Sequence, residues 1–153
     1  MKTFIIHPDK IQQPVAATLA KEMYHALPSG DVVLTSTEAA EPDEADLVLA
    51  VFSLRQGSFA PTVPCYRELR DKKVAFVAVL AGPVDASRVR KTVWGSKKQF
   101  CGNEVVGAYL CAADDEVAWG VAAREVANVV NFARKMHQEH GGQSEPDSLA
   151  VNF

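Results

Sequence analysis

The chain has 153 residues, 48% hydrophobic and 23% charged, with a formal net charge of −3 at pH 7. That length suits one domain with an ordinary buried core, and the slight acidity argues against a nucleic-acid binder. No apolar run approaches the roughly 20 residues of a membrane span, and no signal-peptide core follows the N-terminus, so a cytoplasmic protein is expected.

Strand and helix patterns alternate along the whole chain. Residues 2–6 read as a first strand, followed by the polar segment His7-Pro8-Asp9-Lys10-Ile11-Gln12. Ile11, Val15, Leu19, Met23 and Leu27 recur at helical spacing and predict a helix over 11–27, closed by Pro28-Ser29-Gly30. Val32-Val33-Leu34 reads as a short second strand, and an acidic connection with Pro42 as a breaker follows. The third strand, residues 46–52, is continuously apolar, as a parallel strand covered on both faces should be.

A loop at 53–59 contains Gly57, and a second helix opens near Ala60-Pro61 or at Pro64. Residues 73–80 form another continuously apolar strand, ending in Ala81-Gly82-Pro83. Asp85 or Ser87 can cap a third helix carrying Val89, Val93 and Trp94, with Trp94 expected to pack on the sheet. Residues 104–111 give the fifth strand, and Asp114-Asp115 opens a last helix running to about His137. Its stripe of Ala118, Ala122, Val126, Val129, Ala133 and Met136 is expected to face the core. The domain is therefore placed at 1–140, with a polar tail from Gly141 expected to be mobile or lightly docked.

Five βα units predict a three-layer α/β architecture, a doubly wound parallel sheet in the order 2-1-3-4-5. Ligands of such sheets bind beyond the carboxyl ends of the strands, at the switch between strands one and three. The loops at 7–13, 53–59 and 81–84 are the ones that would line that site.

Other chemistries find little support. Cys65, Cys101 and Cys111 are odd in number and widely spaced, which fits buried small hydrophobes rather than disulfides or zinc. His137 and His140 have no acidic or cysteine partner at ligand spacing, so no metal site is expected. A Gly-x-Ser-x-Gly elbow, a dinucleotide fingerprint and a phospho-acceptor aspartate after the third strand are all missing, and no catalytic residue is assigned. Charge is uneven: six acids and no base lie in 31–46, while 67–98 carries nine bases against three acids. The basic stretch is either an ordinary solvated face or a protein-docking surface.

Three landmarks add a family resemblance. Ala45-Asp46-Leu47-Val48-Leu49 with Phe52 and Gly57-Ser58 resembles the third strand and following loop of flavodoxin-like domains. Lys72-Lys73-Val74-Ala75-Phe76 through Leu80 and Gly82 is similar to their fourth strand and loop. Asn103-Glu104-Val105-Val106-Gly107-Ala108-Tyr109-Leu110-Cys111 is similar to their fifth. The chain thus resembles a divergent flavodoxin-like subgroup. The resemblance implies FMN as cofactor and a role in electron transfer or as an accessory redox partner.

It also implies the site residues. His7, Asp9, Lys10, Gln12 and Gln13 would face the phosphate, while Ser53, Leu54, Arg55, Gly57, Leu80, Ala81 and Gly82 would line the ring pocket. An acidic redox partner would dock near residues 88–98, where Arg88, Arg90, Lys91, Lys97 and Lys98 cluster. The phosphate loop departs from the family's Ser/Thr-x-Thr-Gly-x-Thr pattern, for every hydroxyl and the glycine are missing and Pro8 has no N–H. Losing three or four such contacts weakens binding by on the order of 5 kcal/mol, thousands-fold in affinity, unless Lys10 compensates. The alternative is a flavodoxin-like domain that works as a binding or assembly module without cofactor.

Overall fold

A computed structural model describes residues 2–27 and 31–139. The expected tail, the Pro28-Ser29-Gly30 closure and the side chains of His137 and His140 lie outside the described residues. Five parallel strands, β1 (Thr3–His7), β2 (Val32–Ser36), β3 (Leu47–Leu54), β4 (Lys73–Leu80) and β5 (Glu104–Ala112), form one sheet in the order β2-β1-β3-β4-β5. Helices α1 (Pro14–Ala26), α2 (Pro64–Glu68), α3 (Ala86–Gln99) and α4 (Glu116–Glu139) connect and cover it. The expected fold class and strand order are those observed.

The sheet is built as its apolar runs require. Val48 to Phe52 in β3 and Val74 to Leu80 in β4 are fully buried, because helices cover both faces of the central strands. On one face Ile5, Leu49 and Val77 pack against Leu19 and Met23 of α1 and Val126 and Val130 of α4. On the other, Phe52, Tyr66, Phe76 and Phe100 form an aromatic cluster, with Phe76 and Phe100 stacked at 5.7 Å between centroids. Thr3 lies opposite Val32 on one side and Leu47 on the other, which brings β1 and β3 side by side at the switch point. Between β4 and β5 the register skips Val106, a bulge that shifts the rest of β5 by one position.

Several boundaries differ from the sequence expectation, each for a local reason. α1 begins at Pro14 rather than Ile11, because the N–H groups of Gln12 and Gln13 turn back onto the Asp9 carbonyl. Ile11 is consequently 91% exposed and leaves the helical face it was assigned to. β3 continues through Ser53 and Leu54, paired with Val79 and Leu80, so these two are strand residues and not loop. α2 starts at Pro64 and lasts five residues. Asp85 caps α3 by accepting the Arg88 N–H at 2.8 Å.

Two helical faces are also corrected. Trp94 is 67% exposed, lying under Lys98 instead of packing on the sheet. α3 turns Arg88, Thr92 and Ser96 inward, spaced four apart, so its buried face is polar. In α4 the buried line runs Trp119, Ala122, Ala123, Val126, Ala127, Val130 and Ala133, leaving Ala118, Val129 and Met136 only partly covered. The Trp119 indole N–H bonds the Ala112 carbonyl at 3.0 Å, and that anchor sets the helix rotation.

The cysteines are not alike: Cys111 is buried, Cys65 is intermediate and Cys101 is exposed on the turn after α3. Burial, then the nearby Asp115 charge, pushes the Cys111 thiol up from 9.0 to about 11. Its folded form therefore keeps its proton between pH 9 and 11 while the unfolded chain gives it up, so stability falls as pH rises through that window. Alkylation of the folded protein at pH 8, followed by mass spectrometry, should label Cys101 first and Cys111 last.

Candidate functional site

A cleft of about 800 Å³ opens beyond the carboxyl ends of β1, β3, β4 and β5, at the position where doubly wound sheets bind ligands. Ile11, Leu54, Pro61, Ala81 and Ala113 give it apolar walls. Gln12, Gln13, Ser53, Arg55, Ser58 and Thr62 supply its polar groups.

The loop between β1 and α1 is satisfied from within. Asp9 Oδ1 accepts the Ile11 N–H at 2.8 Å, and the Asp9 carbonyl accepts those of Gln12 and Gln13 at 3.0 and 2.9 Å. Pro8 and Pro14 have no N–H to offer. The His7 ring meets the Pro8 carbonyl at 2.8 Å through Nδ1, which holds His7 against its own loop. Gln13 reaches across to the end of β3, where its Oε1 accepts the Ser53 N–H at 2.7 Å. The Ser53 hydroxyl is buried without a partner among the described residues.

The second and third loops are fastened to each other by Arg88. Its Nη1 donates to the carbonyls of Ala81 at 2.5 Å and Pro83 at 2.8 Å, and its Nη2 lies 3.4 Å from that of Arg55. The Ala81 N–H adds a bond to the Leu54 carbonyl at 3.0 Å. Gly57 and Gly82 have φ of 86° and 81°, a backbone conformation that favours glycine in each loop. Tyr66, fully buried, places its hydroxyl 2.8 Å from the Ile6 carbonyl near the end of β1 and 2.7 Å from that of Val51 within β3. Burial first, with the neighbouring Cys65 charge, raises that phenol well above its usual 10.

No family model matches the chain, and no curated relative does either. Solved structures do. A flavoprotein from Lactobacillus acidophilus, determined in complex with FMN, superposes with a TM-score of 0.51 at 16% identity, over 78% of this chain and 98% of that one. A flavodoxin from the domain Archaea gives 0.51 at 12% identity, over 86% and 99%. The fold is flavodoxin-like.

Within this flavodoxin-like frame, Gln12, Gln13, Ser53, Leu54, Arg55 and Ala81 of the expected site residues line the cleft. Asp9, Lys10, Gly57 and Gly82 lie in the surrounding loops and His7 ends β1, all outside its wall. Leu80 is wholly buried in the aromatic-side core. Phe52 likewise belongs to the core. Ile11, Pro61, Thr62 and Ala113 join the cleft through tertiary packing. Arg88 is only 7% exposed, so it belongs to the loop framework and not to a docking face.

The residues fit FMN at one end only. The cleft is large and apolar enough for a planar ring, with backbone amides of two glycine-containing loops beside it. The phosphate end presents no hydroxyl, and three of its backbone donors already face Asp9. A phosphate does not fit that loop as it stands.

Proposed function

We propose that the protein is a flavin-binding electron carrier or accessory redox protein, with the cleft as its flavin site. The observation that carries this reading is the apolar cleft at the β1–β3 switch point of a flavodoxin-like sheet. A bound flavin supplies one- and two-electron chemistry that no side chain here provides. The chain's contribution is confinement. Leu54, Pro61, Ala81 and Ala113 exclude water from the ring site, and Gln13 and Arg88 hold the surrounding loops in place. The Arg55 side chain, exposed at the rim, adds positive charge that favours a reduced, anionic ring.

A partner protein with an acidic face would dock on α3, where Arg90, Lys91 and Lys98 are exposed beside Trp94 and no acid interrupts Ala86–Gln99. Lys98 sits 4.5 Å from the Trp94 ring centroid and Lys91 5.5 Å from that of Phe59, so the basic groups are arrayed on aromatic surface. The self-satisfied first loop favours a second reading, a binding module that works without cofactor. An absorbance spectrum of natively purified protein separates the two. Flavin absorbance that stays with the protein through gel filtration is expected, with quenching of flavin fluorescence on titration. A colourless protein that quenches no flavin leaves the binding module.

A further inference from the structure

We infer that the cleft selects a flavin whose side chain ends uncharged, of the riboflavin class, over one ending in phosphate. This rests on the flavin reading above and specifies its ligand.

In this fold the tail of the ligand meets the loop between the first strand and the first helix, where a phosphate needs N–H or O–H donors. From Pro8 to Pro14 the backbone N–H is missing or engaged at five of the seven positions, all but Asp9 and Lys10. The two prolines have none, Ile11 is bonded to the Asp9 carboxylate, and Gln12 and Gln13 are bonded to the Asp9 carbonyl. The loop contains no Ser, Thr or Gly. Gln12 and Gln13 are the long donors on the cleft wall here, and Gln13 has its oxygen on the Ser53 N–H, which ties it to the end of β3.

Charge points the same way as hydrogen bonding. Asp9 brings a carboxylate to the loop, and a phosphate carrying about −1.5 to −2 charges at pH 7 would be set against it. Lys10 is exposed and its charge is screened by solvent, so it offsets this only in part. A hydroxyl reverses the balance. It can donate to the Asp9 carboxylate, which a fully ionised phosphate cannot. The loop thus offers a carboxylate and few free backbone N–H groups at a place where the phosphate-binding version of the fold presents donors.

The test is a pair of titrations of the full chain, with riboflavin and with FMN, followed by flavin fluorescence at neutral pH. Riboflavin should bind at least about tenfold tighter than FMN. Asp9→Asn keeps an oxygen to accept the Ile11 N–H, so the loop should persist while the charge is lost. That variant should tighten FMN by about tenfold and leave riboflavin within about twofold. FMN binding tighter than riboflavin to the unaltered chain overturns the inference while the flavin reading stands. Equal effects of Asp9→Asn on both ligands overturn it as well, because the carboxylate would then not be reading the phosphate. If neither flavin binds, this inference and the flavin reading fall together.

Discussion

Replacing Arg88 with methionine should destabilise the protein by about 3 kcal/mol and loosen two loops at once. The guanidinium is almost completely buried, and its two terminal nitrogens serve the carbonyls of Ala81, Pro83 and Arg55. Hydrogen bonds from a charged donor contribute about 1.5–3 kcal/mol each where the acceptor has no alternative. Here Arg55, Ala81 and Pro83 are themselves exposed, so water takes over part of the loss and the total stays well below the sum. Amide hydrogen exchange should show faster opening both at Arg55 to Ser58 and at Ala81 to Val84. A lysine at the same position keeps the charge without the planar fork, so it should recover only part of the protection. Unchanged exchange in both loops would contradict the strap. The consequence for the cleft is direct: Leu54, Arg55 and Ala81 line it, so loosening these loops should also weaken any ring-shaped ligand.

The second large effect is expected at Tyr66. Tyr66→Ala should cost about 4 kcal/mol, the range for removing a buried aromatic and leaving a cavity. For a chain of this size that lowers the thermal midpoint by roughly 8–16 °C. Tyr66 touches Phe52 and Phe100, at 6.1 and 5.7 Å between centroids, so the ring is part of the aromatic cluster under the sheet. Its hydroxyl has a separate task. One proton is shared between the carbonyls of Ile6, one residue before the end of β1, and Val51 within β3, which links the two strands beneath the cleft. Tyr66→Phe keeps the packing and loses only that link, at about 1–1.5 kcal/mol. Equal destabilisation by Phe and Ala, in thermal or urea unfolding, would mean that the hydroxyl dominates and the cavity argument is wrong.

The framework of this protein is legible in the chain because it rests on hydrophobic periodicity. Leu47 to Phe52 and Val74 to Leu80 are continuous apolar runs, and a run of that kind is stable in a sheet only with both faces covered. Five such units separated by helical patterns leave few topologies, and the observed order is the common one. Asp85 as a helix cap is equally local, since the side chain bonds an N–H three residues away.

What sequence could not supply is the set of contacts that depend on two distant segments meeting. Ile11 matches a helical stripe, yet the Asp9 turn and Pro14 delay the helix by nearly one turn and push Ile11 into the cleft wall. Arg88 has the appearance of a surface base in a basic helix. Its burial becomes evident only when the second and third loops bring three carbonyls to it. Trp94 points away from the sheet, and the buried line of α4 keeps Ala122, Val126 and Ala133 of the expected stripe but is rotated toward Trp119, Ala123, Ala127 and Val130, because periodicity gives the width of a stripe but not its rotation. The polar first loop was plain from composition, with its missing hydroxyls and glycine. That Asp9 already occupies its donors follows from backbone geometry, which residue types alone do not specify. Apolar pattern is a short-range, additive signal and selects the scaffold; hydrogen-bond partnering is directional and long-range, so the chemistry of the cleft emerged only with the folded chain.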